Sequence, residues 1–152
     1  MKLKFKKTDP LAKIPYYATR GAAGMDIRAL EGFQIEPGQI KIVRTGLSVA
    51  VPEGYELQVR SRSGQAARRG LIVVNSPGTI DSDYRGEIFV ILTLVAGPGF
   101  LASQGLECPV TIDTDERVAQ LVLKKVERLQ VVEVESLDET ERGEGGLGST
   151  GK

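Results

Sequence analysis

Residues 71–95 read Leu71-Ile72-Val73-Val74-Asn75-Ser76-Pro77-Gly78-Thr79-Ile80-Asp81-Ser82-Asp83-Tyr84-Arg85-Gly86-Glu87-Ile88-Phe89-Val90-Ile91-Leu92-Thr93-Leu94-Val95. Two runs of mostly β-branched and apolar residues flank a polar stretch whose Asn, Ser, Pro, Gly and Asp are turn formers. Each run is too short for a typical globular helix and reads as a strand. The pattern repeats outward. Ile40-Lys41-Ile42-Val43, Leu47 to Val51 and Leu57-Gln58-Val59 are further short pieces, separated by Glu36-Pro37-Gly38 and Pro52-Glu53-Gly54. Many short strands with frequent turns predict an all-β sandwich or barrel. One stretch is ambiguous, because Val118, Leu121, Val122, Val126 and Leu129 lie at helical spacing. It runs on into Val131-Val132-Glu133-Val134, however, and the whole is read as mostly strand.

Composition narrows the chemistry. The 152 residues fit one domain, and 20 Lys plus Arg balance 20 Asp plus Glu. That leaves no global basic field for nucleic acid or a membrane surface, so any anion site must be local. Histidine is absent and cysteine occurs once, at Cys108. A hydrolase built from this chain therefore uses a carboxylate base, and any metal is a hard, oxygen-bound ion such as Mg²⁺. The basic start Met1 to Lys7 meets Thr8-Asp9-Pro10 where an export signal needs apolar residues. With a single thiol, that predicts a cytoplasmic location.

Five segments concentrate polar chemistry. Asn75 to Glu87 sets an amide, three carboxylates, an aromatic and an arginine in one stretch. It reads as a capped polar turn or, with Ile80 beside Asp81, as a partly buried carboxylate able to orient and deprotonate water. Arg60 to Gly70 holds four arginines, Arg60, Arg62, Arg68 and Arg69, among Ser and Gly. A solvated face, an RNA-binding strip and a phosphate loop all fit that composition. Ala23-Gly24-Met25-Asp26 and Asp115 to Leu121 are each common turn or surface-to-core transitions. The tail from Glu141 to Lys152 has almost nothing to bury and reads as a solvated end or as a glycine-rich arm able to cradle an anion. Its Gly146-x-x-x-x-Gly151-Lys152 is no P-loop, because neither the following Ser or Thr nor a helix is present.

Taken in order, these segments resemble the five motifs of the trimeric dUTPase family. They are Ala23-Gly24-Met25-Asp26, Arg62-Ser63-Gly64, Gly78 to Gly86, Arg117-Val118-Ala119-Gln120 and Arg142 to Gly151. The resemblance implies a jelly-roll-like (β-clip) domain forming a homotrimer with shared active sites. Residues 1–138 would be the body, and residues 139–152 an arm completing a neighbouring site. It implies hydrolysis of dUTP to dUMP and pyrophosphate with Mg²⁺. Asp81 would be the base. Asn75 would read uracil, with Gly78, Thr79 and Ile80 lining the pocket, and Tyr84 would lie under the deoxyribose. Arg62, Ser63 and Gly64 would form the phosphate loop and Gln120 would help hold the α-phosphate region, joined by Arg142, Ser149 and Thr150 of the arm on the phosphates, with Gly148 also binding substrate. Asp26 would meet the metal through water.

The chain departs from the family pattern at several positions. Leu147 stands where a phenylalanine is usual over the base, and it keeps apolar cover while losing a π-face worth about 1–3 kcal/mol in stacking. Ser61 replaces a common proline and Asp115 a common glycine, both with small expected effects. Residues 96–112 form a longer turn than usual. A dCTP deaminase shares the fold, but the intact Asp81-x-Asp83-Tyr84 segment and the arm favour dUTPase. A single-strand nucleic-acid binder would need more than 5% aromatic residues.

Overall fold

The structure is a computed structural model that describes residues 1–146. Leu147, Gly148, Ser149 and Thr150 lie outside the described residues. In chain order the elements are β1 (Lys4–Lys7), β2 (Met25–Arg28), β3 (Phe33–Ile35), β4 (Ile40–Ala50), β5 (Tyr55–Arg60), α1 (Ser63–Arg69), β6 (Leu71–Val73), β7 (Gly78–Ile80), β8 (Glu87–Leu94), α2 (Pro98–Ser103), β9 (Val110–Ile112) and β10 (Arg117–Lys125). One antiparallel sheet runs β1-β4-β8-β6 and a second runs β2-β10-β5-β7, with β3-β9 as a small ribbon. The fold is mostly β, as the strand pattern predicts, and jelly-roll-like, as the resemblance implies.

Period-two alternation explains why these residues pair. In β8, Ile88, Val90, Leu92 and Leu94 are all buried, whereas Phe89 stays exposed. They meet Leu57 and Val59 of β5 and Val118 and Leu121 of β10 in one core cluster. The two runs at Ile40–Val43 and Leu47–Val51 prove to be one strand, bent by a register shift between Arg44 and Ser48. Gly46 makes that bend possible: its φ is +66°, and a Cβ there would stand 2.9 Å from the Cβ atoms of Ala12 and Asp9.

An ion pair between exposed Arg44 and the less exposed Glu87 braces the same bend. Arg44 and Glu87 meet at 3.1 Å, and the Gly46 N–H donates to Glu87 at 2.9 Å. Burial pushes the Glu87 carboxyl up, but hydrogen bonds from Arg44 and Gly46 and the Arg44 charge outweigh it and hold the carboxyl lower. A carboxylate lowered on folding stabilises above its unfolded pKa and loses that stabilisation as pH falls through the folded value. We expect wild type to have a higher Tm than Glu87→Gln at pH 7. That gap should shrink as pH falls below about 4.3, the unfolded glutamate value. A gap unchanged down to pH 3 would dismiss the pair as a brace.

Two expectations need correction. The 117–129 stretch is strand only to Lys125, and Val131-Val132-Glu133-Val134 forms no strand. Leu129, Val131 and Leu137 are 86%, 95% and 83% exposed. β10 already has β2 on one side and β5 on the other, and the edge strands β1, β2, β6 and β7 pair with no residue of 131–134. The apolar alternation is present, but no free strand edge in the same chain receives it. The second concerns residues 96–112, which hold a short helix, α2, with Pro98 in its first turn and Leu101 fully buried.

Candidate active site

Arg62 closes the N-terminal end of α1 in extended conformation (φ −89°, ψ 127°). Its Nε donates to Asp26 Oδ1 at 2.7 Å, and Arg117 Nη1 donates to Asp26 Oδ2 at 3.2 Å. Asp26 thus holds two guanidinium groups from distant parts of the chain, each partly exposed. Arg62 also donates to the Arg117 carbonyl at 3.1 Å. Gln120 lies on the same level of the sheet, paired with Asp26 on β2 and Arg60 on β5. Its amide donates to the Ser61 carbonyl at 2.9 Å. Asp26, Arg62, Gly64, Gln120 and Arg117 are therefore gathered at one end of the second sheet, and Ser63 opens α1 beside them.

Arg117 was not singled out by sequence, and its signal was its place at the head of the fourth motif. The departures at Ser61 and Asp115 gain physical reasons. The Ser61 hydroxyl accepts the Val73 N–H at 2.9 Å, tying β6 to the loop. Asp115 adopts φ +65°, the left-handed region where glycine is favoured. Arg28 compensates by donating to the Asp115 carbonyl at 2.6 Å and to its carboxylate at 3.3 Å. We expect Asp115→Gly to unfold at or above the wild-type denaturant midpoint and Asp115→Val to lose about 2 kcal/mol. Equal stability of the two variants would show that the backbone there relaxes freely.

The other predicted residues stand elsewhere. β7 pairs with β5 so that Gly78 lies opposite Val59 and Ile80 opposite Leu57. Asn75 curls over this strand, its amide nitrogen 3.1 Å from where a Cβ on Gly78 would stand. Thr79 is exposed and Ile80 buried. Asp81 follows at the end of β5 remote from Arg60. It lies in a cleft of about 620 Å³ with Tyr55, Glu56, Asp83 and Arg85. The expectation of partial burial is corrected here, because Asp81 is exposed in the single chain. Tyr84 is 42% exposed, and its hydroxyl donates to the Glu87 carbonyl at 2.9 Å. Arg142, on the exposed tail, donates to the Gly145 carbonyl at 2.8 Å.

The predicted site thus divides. Arg62, Gly64 and Arg117 line a second cleft of about 400 Å³ that does not include Asp81. At about 3.3 Å per strand residue, the four steps from Glu56 to Arg60 separate the two groups by roughly 13 Å. A carboxylate-lined cleft and an arginine-lined cleft thus stand apart at two ends of one sheet.

Comparison with known proteins decides the family. The dUTPase family profile matches residues 11–151. This chain belongs to the dUTPase family. A deoxyuridine 5'-triphosphate nucleotidohydrolase of Nautilia profundicola is 47% identical over 152 residues, all of both chains. One from Fusobacterium nucleatum subsp. nucleatum is 48% identical over 142 residues, covering 92% of this chain and 90% of its own. Among solved structures, the Staphylococcus bacteriophage 80alpha dUTPase with dUPNHPP superposes with a TM-score of 0.86 at 26% identity, over 99% of each chain.

Proposed function

We propose that this dUTPase-family chain hydrolyses dUTP to dUMP and pyrophosphate, with Asp81 as the base, removing dUTP and supplying dUMP for thymidylate synthesis. The observation that supports the base assignment is the exposed Asp81 carboxylate, set at a strand end beside the Asn75–Gly78 turn and accepting no hydrogen bond among the described residues. Asp81 takes a proton from water as the water oxygen bonds to the α-phosphorus. The bond from that phosphorus to the bridging oxygen breaks, and pyrophosphate leaves with the electron pair. Arg62, Ser63, Gly64 and Gln120 hold the phosphates, and Arg117 joins them through Asp26. Preorganised donors of this kind stabilise the charge that develops. Asn75 reads the uracil edge, and Tyr84 packs against the deoxyribose face.

The donor set fits Mg²⁺ carried by the substrate. No cluster of three acidic, histidine or cysteine side chains stands together among the described residues, and both Asp26 oxygens already accept guanidinium bonds. That suits a hard ion held by triphosphate oxygens and water, with Asp26 reaching its hydration shell. When bound, Mg²⁺ neutralises phosphate charge and eases departure of pyrophosphate.

The enzyme acts as a homotrimer with shared sites. Three observations support this. Asp81 and Arg62 open into different clefts, so one copy's Asp81 can face another's phosphate loop. The outer face of the first sheet carries exposed Ile40, Ile42 and Phe89, an apolar surface of the kind that subunits bury. The unpaired 131–134 segment has the alternation to join a sheet edge of a neighbour. Its continuation, residues 139–152, is then the arm that brings Arg142, Leu147, Gly148, Ser149 and Thr150 to a neighbouring site. The reading places the enzyme in the cytoplasm, with dUTP as its partner and neither nucleic acid nor membrane.

Pyrophosphate release from dUTP, dCTP, dTTP and UTP with Mg²⁺ tests the assignment. We expect turnover of dUTP alone. Comparable turnover of UTP would remove Tyr84 from the sugar, and deamination of dCTP would replace the reading.

A further inference from the structure

The geometry points to Arg68 as a further phosphate-binding residue, one that grips the pyrophosphate portion of the nucleotide and not its α-phosphate. The inference rests on the proposed substrate class. Four arginines line the 400 Å³ cleft: Arg62, Arg68, Arg69 and Arg117. Three are committed. Arg62 and Arg117 share Asp26, and Arg69 is held by Glu116 at 2.6 Å. Gln65, buried in α1, fastens the same Glu116 at 2.8 Å and the Arg117 carbonyl at 3.2 Å. Arg68 alone of the four has no carboxylate partner among the described residues. Its one hydrogen bond among the described residues is a long one from Nε to the Gly64 carbonyl at 3.4 Å.

That contact places the free guanidinium over the loop. Arg68 Nη2 lies 3.3 Å from where a Cβ on Gly64 would stand, within the residues proposed to cradle phosphate. The arginines already tied to Asp26 and Glu116 have part of their charge cancelled, whereas Arg68 brings a full charge and an unoccupied fork. Gln120, the proposed α-phosphate ligand, does not line this cleft, whereas Gln104 and Leu106 of the 96–112 insertion do. A triphosphate running from Gln120 into the cleft therefore meets Arg68 with its terminal groups. The insertion gains a role as the outer wall of that pocket.

The test is calorimetric titration of the full chain with dUMP and with the non-hydrolysable α,β-imido analogue of dUTP, each with Mg²⁺. Wild type, Arg68→Ala, Arg68→Lys and the charge control Lys2→Ala are compared, and Tm is recorded for each. We expect Arg68→Ala to weaken the analogue about 10-fold or more while dUMP is unchanged. Arg68→Lys should recover part of the loss, and Lys2→Ala should match wild type. Equal weakening of both ligands, or a fallen Tm in Arg68→Ala, would make Arg68 a structural residue and overturn the inference. So would an analogue affinity that does not change. Wild type that binds neither ligand would instead overturn the substrate assignment itself, a separate and recognisable failure.

Discussion

Asp81→Asn is expected to lower kcat for dUTP by about 10³-fold while leaving affinity for a non-hydrolysable analogue close to wild type. Asparagine keeps the size and polarity of the side chain but cannot take a proton from water. The chain offers no histidine to take over. Because Asp81 is exposed at a strand end, the change removes no core contact, and Tm should hold. The nearby Asp83 is two residues further into the turn, so it does not inherit the water position by a simple rotamer change. Steady-state kinetics with an equilibrium binding control separates the outcomes. A loss in KM alone, with kcat intact, would make Asp81 a binding group and move the base elsewhere.

Removing residues 139–152 is expected to lower kcat/KM by at least about 10²-fold, because several of the proposed phosphate donors leave at once. The body should remain folded, since residues 127–140 are exposed and the packed strands end at Lys125. The proposed shared sites make a sharper forecast for mixtures. Truncated and Asp81→Asn chains are each expected to be strongly impaired alone, and the two are then co-expressed. In mixed trimers some sites combine Asp81 from the truncated chain with the arm of the other, and activity returns. If each chain instead closed its own site, the mixture would stay as inactive as its parts.

How far these features were legible in the sequence depends on whether the cause was local. Ile88 to Leu94 and Leu57 to Val59 could be read directly, because alternation and flanking turns are short-range signals. The helix α2 was missed although Gly97-Pro98 marks a helix start, since a six-residue piece leaves too little periodicity. Val131 to Val134 showed the strand signal without the strand, because pairing needs a partner and none of the edge strands β1, β2, β6 and β7 takes the segment up. The motif residues were identifiable, but their arrangement was not. Asp26 meets Arg62 across 36 residues and Arg117 across 91, contacts that only the sheet creates. The separation of Asp81 from the phosphate loop depends on the register of β7 against β5, which spacing does not encode.

The account's central claim is that Asp81-activated water attacks the α-phosphorus of dUTP. Turnover in water enriched in heavy oxygen, followed by mass spectrometry of both products, tests it most directly. The account predicts that the label enters dUMP and that pyrophosphate remains light. Label in pyrophosphate, with light dUMP, would place the attack on the β-phosphorus and contradict the proposed mechanism.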